Sequence, residues 1–140
     1  MRYTDEQRVE KIKETTAKLL AYLSENAITP QDILDQEPLR WAITTPLYNI
    51  GEHAYRISDE YKERHSDIPW SKIAGLRHRL VHDYESTNWT LICSILFDVL
   101  PDFLKQIESL IQSAPEYSLQ QEFFSGVAAL PDDFLNNGRP

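Results

Sequence analysis

Cysteine is almost absent: the chain of 140 residues holds one, Cys93. A lone thiol cannot close an intramolecular bridge, so the fold must stand without disulfide staples, and nothing points to an oxidising compartment. Long apolar runs are missing as well. The longest apolar stretch, Leu91 to Phe97, is ended by Asp98, far short of the roughly 20 residues that a membrane-spanning helix needs. Met1 to Glu10 is polar and charged where a secretory signal would need an apolar stretch, so a cytoplasmic protein without membrane attachment is expected. Basic residues are in the minority, 14 Lys and Arg against 22 Asp and Glu, for a formal net charge of −8. That balance excludes tight storage on nucleic acid by bulk electrostatics. Any contact with RNA must come from a local basic patch on an acidic body. No strand-like alternation persists, and no repeat or low-complexity segment is found.

What is present is an apolar content of 41%, enough for one continuous core of packed helices within a single domain. Val9, Ile12, Thr16, Leu19, Leu20 and Leu23 recur at helical steps and predict a helix over residues 4–26, opened by a Thr4/Gln7 capping box. Thr29-Pro30 predicts a short helix to about Leu34. The stripe Leu39, Ala42, Ile43, Leu47, Ile50, Ala54 and Ile57 predicts a longer helix from 36–38 to about Tyr61, kinked ahead of Pro46. Ile73, Leu76 and Leu80 predict a short helix from Trp70 that ends between Val81 and Tyr84. A long helix from Trp89 to about Gln112, capped by Ser86 or Thr87 and bent at Pro101, carries an apolar band wide enough for burial on two sides. The expected architecture is all-α, an antiparallel bundle of four to five helices over residues 1–112. Residues 113–140 read as an irregular tail, with room for one short helix over 118–124.

Arg77-His78-Arg79-Leu80-Val81-His82-Asp83-Tyr84 is the one dense basic patch, with a fixed cation, a group that titrates near neutrality and a phenol. Those groups suit RNA cleavage. A base takes the proton of the ribose 2′-hydroxyl, an acid protonates the departing 5′-oxygen, and a cation stabilises the phosphorane oxygens. Histidine serves in either proton role, and arginine offers a planar fork of donors to phosphate. On an ideal helix Arg77 and His82 are about 140° apart, so they converge only if the helix ends near His82 or a second copy faces the first. One imidazole cannot flank both sides of a phosphate at once. A homodimer that supplies His82 twice solves this.

The spacing Arg77, four residues, His82, one residue, Tyr84 resembles the Rx4HxY signature of the HEPN superfamily of ribonucleases, and in particular the HepT toxins paired with MntA nucleotidyltransferase antitoxins. Asn49-Ile50-Gly51-Glu52-His53-Ala54 resembles the N-I-G-E-A segment of that family, and the run from Ile68 to Arg77 resembles its I-P-W…G-L-R approach. The resemblance covers residues 5 to 112. It implies metal-independent endoribonuclease activity on tRNA or mRNA, a 2′,3′-cyclic phosphate product, no cofactor, and Arg77 with His82 as the catalytic pair. It further implies that the partner nucleotidyltransferase attaches AMP to Tyr84, and that His78, Glu52, Asn49 and Asp83 support the site, Glu52 by orienting Arg77. The sequence departs from the family at His53, where a small residue is usual, and in the tail after Gln112.

Two other readings of the same residues remain open. One is a binding partner of a nucleotidyltransferase that does not cut RNA, which the acidic charge favours. The other is a metal-binding bundle, with His78 and His82 one helical turn apart and His53 as a third ligand.

Overall fold

Helices make up the secondary structure of the computed structural model, which describes residues 2–81 and 84–112, and no strand occurs among them. His82, Asp83 and residues 113–140, with the helix expected at 118–124, lie outside the described residues, as do the side chains of Val81 and Tyr84.

Helix α1 (Asp5–Glu25) begins with the capping box that Thr4 and Gln7 predict. The Gln7 N–H donates to the Thr4 hydroxyl and the Thr4 N–H to the Gln7 side chain, which satisfies two of the amide donors a helix start leaves unpaired. Its buried stripe is Val9, Ile12, Thr16, Leu19 and Leu23. Ala27 closes the helix at φ 51°, with the Ile28 N–H on the Leu23 carbonyl and the Ala27 N–H on the Ser24 carbonyl. This is the paired-bond ending that normally calls for glycine. Thr29 caps α2 (Pro30–Asp35) with Asp32 as its reciprocal partner.

Helix α3 (Glu37–Arg56) runs through Pro46 and buries Ile43, Leu47, Ile50, Gly51 and Ala54. It stops five residues earlier than the apolar period predicts. Ile57 is extended, and Ser58 caps a separate helix, α4 (Asp59–Arg64), by accepting from the Tyr61 N–H. The Ser58 N–H and hydroxyl both donate to the Asp5 carboxylate, so a contact 53 residues distant fixes the break. That contact, with Arg8 on His53, sets the start of α1 against the end of α3, which makes the pair antiparallel.

Helix α5 (Trp70–Val81) buries Ile73, Leu76 and Leu80. Trp70 is buried at its start, its indole N–H on the His65 carbonyl and its ring edge-on to Tyr61 and Phe103. A 3-10 turn (Tyr84–Ser86) leads to α6 (Trp89–Ser94), which is capped by Asn88 rather than Ser86 or Thr87. A π-helical turn (Ile95–Val99) then joins α6 to α7 (Leu100–Gln112), with the Leu100 N–H on the Ile95 carbonyl. The extra residue in that turn sits just ahead of Pro101, whose ring lacks an N–H and would crowd the carbonyl four residues back in a regular helix. The wide apolar band is buried at Ile92, Cys93, Ile95, Leu96, Leu100, Phe103 and Ile107, and half-buried at Leu91, Phe97, Val99, Leu110 and Ile111.

Helix α3 is the hub, packed on α1, on α2 and most extensively on α5, while α7 closes the core against α1. Each fully buried Ile or Leu in this core stabilises the fold by about 1.5–3 kcal/mol before entropy is counted. No helix of the described residues is long and apolar enough to cross a membrane.

Candidate active site

Gly51 is where α3 and α5 come closest. A Cβ there would lie 2.8 Å from the Arg77 backbone nitrogen and 3.1 Å from the Ile73 carbonyl oxygen, so no side chain fits without moving the helices. The next residue, Glu52, is thereby set beside Arg77. The Arg77 Nε–H donates to Glu52 Oε1 at 2.6 Å, and Arg56 Nε–H donates to the other carboxylate oxygen. The carboxylate and the Arg77 side chain are 19% and 28% exposed, partly screened yet open to a ligand.

Burial works to raise the Glu52 pKa, but the hydrogen bonds and charges of Arg56 and Arg77 together outweigh it and hold the carboxyl below its ordinary range. The hydrogen bond that Arg77 donates to Glu52 in turn raises the Arg77 pKa, against a smaller opposing effect of burial, with further help from Tyr55 and Tyr48. Arg77 is a permanent cation. Its Nε is occupied by Glu52, and its guanidinium lies over the Tyr55 ring, with Cζ 4.2 Å from the ring centroid. A guanidinium fixed along one edge and one face keeps its remaining N–H groups in a set direction, the geometry that binds phosphate oxygens.

Of the residues the sequence singles out, Glu52 and Arg77 are brought together. Asn49 is exposed on α3 one turn before Glu52, and His78 is exposed beside Arg77 on α5. Helix α5 runs through Arg77 and His78 to Val81, and the condition that the helix stop near His82 falls on residues outside those described. His82 and Asp83, like the Tyr84 side chain, lie outside the described residues. Tyr55 and Arg56 were missed by sequence reasoning. The available signal was their place three and four residues after Glu52, the spacing at which helix neighbours meet.

The metal reading loses its third ligand at His53. Arg8 Nη1 donates to His53 Nδ1 at 3.0 Å, and burial, followed by the charges of Arg8 and Lys11, lowers the His53 pKa. No cluster of three His, Cys, Asp or Glu among the described residues is arranged to hold a metal ion.

Comparison with known proteins finds relatives of the chain. The chain is 32% identical over 85 residues to a provisionally named RNase of Caldanaerobacter subterraneus subsp. tengcongensis, a span of 61% of this chain and 76% of the relative. It is 27% identical over 77 residues to a provisionally named RNase of Methanocaldococcus jannaschii, covering 55% and 71% of the two chains. It is also 26% identical over 80 residues to a provisionally named ribonuclease HepT of Thermococcus cleftensis, covering 57% and 73%. No solved structure matches significantly. The profile of the family described as ribonuclease HepT-like matches residues 6–110, and the chain belongs to that HepT-like ribonuclease family.

Proposed function

We propose that the chain is a metal-independent endoribonuclease toxin of the cytoplasm, active as a homodimer on tRNA or mRNA. The observation that carries this reading is the Glu52–Arg77 ion pair at the tight contact of α3 and α5. Arg77 holds the non-bridging oxygens of the scissile phosphate. One His82 takes the 2′-hydroxyl proton, and the 2′-oxygen attacks phosphorus. The phosphorus to 5′-oxygen bond breaks as the partner copy's imidazole protonates the leaving oxygen, which yields a 2′,3′-cyclic phosphate and a 5′-hydroxyl.

The second copy docks along α3. Trp41, Tyr48 and Tyr55 follow one another at seven-residue steps on one helix face, with Trp41 58% and Tyr55 54% exposed. An exposed aromatic stripe that leads to Arg77 is the kind of surface that a self-complementary interface covers. A nucleotidyltransferase antitoxin restrains the enzyme by attaching AMP to Tyr84, since a bulky anion beside the cleft excludes RNA phosphate by charge and volume.

The test is cleavage of a tRNA and mRNA mixture by the purified chain in EDTA, with Arg77→Ala and His82→Ala alongside. Cleavage with cyclic phosphate ends by the wild type alone is the expected result, with a bell-shaped pH profile whose limbs lie near neutrality. Intact RNA, or undiminished cutting by His82→Ala, overturns the reading. Mass spectrometry of the chain made with and without its antitoxin partner is expected to show an adenylyl adduct on Tyr84 only in the first case.

A further inference from the structure

Glu52 also lines an open concavity of about 530 Å³, together with Arg2, Tyr3, Arg8, His53 and Arg56. Three guanidiniums face it against one carboxylate, in a chain whose net charge is −8. Cations gathered on an acidic body need a reason, because like charges held close together repel. Arg56 and Arg8 are held in place. Arg56 is tied to Glu52. Arg8 donates to His53 Nδ1 and lies over the Tyr3 ring, whose centroid is 5.4 Å from Arg8 Cζ and 5.4 Å from the His53 ring. Because His53 accepts from Arg8 through Nδ1 and its pKa is lowered, it serves there as a neutral support for Arg8. Position 53 is also where the sequence departs from the small residue usual in the resembling family.

We propose that this concavity is a second phosphate subsite, which takes a backbone phosphate of the RNA strand next to the one held by Arg77. The proposal rests on the ribonuclease reading and deepens it. Glu52 bridges the two sites, with one oxygen toward Arg77 and the other toward Arg56, so a strand whose scissile phosphate sits on Arg77 meets the pocket with its neighbour. The concavity is open rather than enclosed, which suits a continuous strand better than a small molecule that must be surrounded. Arginine supplies phosphate affinity without reading the base, so the pocket adds affinity and register, not sequence choice.

The experiment measures binding of a short RNA carrying 2′-O-methyl groups throughout, which lacks the attacking hydroxyl, by fluorescence anisotropy across a salt series. Wild type is compared with Arg2→Ala/Arg8→Ala and with Arg2→Glu, whose exposed position leaves the core alone. Both variants are expected to bind about tenfold more weakly and to lose roughly one phosphate's worth of salt slope. In cleavage assays a dinucleotide is cut as fast as by wild type, while KM for a longer RNA rises at unchanged kcat. Binding and salt slope equal to wild type in both variants overturns the subsite and leaves the ribonuclease reading standing. Saturable AMP binding that Arg2→Glu abolishes, with RNA affinity untouched, overturns it in favour of a free nucleotide. Wild-type protein that neither binds nor cuts RNA overturns both.

Discussion

Glu52 shows how much one side chain can organise. Its two oxygens separate two guanidiniums that would otherwise repel, its own charge is secured by both, and it in turn secures that of Arg77. Tyr55 lies against the same cation with its ring face. A stacked ring over a partly exposed guanidinium limits rotation about the last side-chain bonds, so Tyr55→Ala is expected to lower kcat/KM for RNA about two- to fivefold, and Tyr55→Phe to keep full activity. Steady-state cleavage of one RNA by the three proteins checks this, and a Phe variant as poor as Ala would assign the effect to the hydroxyl. His53 gives a prediction for stability. Its folded pKa is lowered from the ordinary 6.5, so the unfolded chain takes up a proton first as pH falls. Its contribution is therefore full above about pH 6.5 and is lost as pH falls from there through the folded pKa. Urea midpoints measured from pH 7.5 to 5.5 should fall more steeply for wild type than for His53→Gln, and parallel curves would contradict the assignment.

At the scale of elements, signals carried by neighbours in sequence were legible and signals carried across the chain were not. Thr4 and Gln7, or Thr29 and Pro30, announce a helix start because cap and partner lie within one turn. The end of α3 gives no such notice. The apolar period stays in phase from Ile50 to Tyr61, and the break at Ser58 is fixed by Asp5. The π turn ahead of Pro101 is hidden for a related reason, since the proline signals a bend but not how the backbone absorbs it. The site divides in the same way. Glu52 and Arg77 were visible as motif residues, whereas the Arg56 and Tyr55 contacts, and the Arg8–His53 bond between α1 and α3, depend on how helices meet. Two small residues test these elements with opposite signs. Ala27→Gly relieves a left-handed backbone at the end of α1 and is expected to raise stability by about 1 kcal/mol. Gly51→Ala drives a methyl into the Arg77 backbone and is expected to cost about 1–3 kcal/mol, with activity lost beyond what unfolding explains. Chemical denaturation of both variants decides, and a neutral Gly51→Ala would mean that the α3–α5 contact is softer than its geometry.

For the molecule as a whole, an acidic chain that acts on a polyanion must concentrate its positive charge, and Arg2, Arg8, Arg56 and Arg77 all gather around Glu52. In the proposed mechanism one copy holds a single His82, and a step that needs both a base and an acid is unfinished within it. A cleft completed only by two copies makes a quantitative demand on mixtures. If wild type and His82→Ala are co-expressed in equal amounts and pair at random, about one quarter of the dimers are wild type on both sides, one half are mixed and one quarter are doubly mutant. A shared cleft that requires both imidazoles leaves only the first class active, so cleavage should fall to about one quarter of that of an equal quantity of wild-type dimer. Independent sites in each copy would instead leave one half, because every wild-type chain would work whatever its partner. Initial rates at matched total protein separate the two values, and a reading of one half would return the chemistry to a single copy and require its acid to be sought among residues other than a second His82.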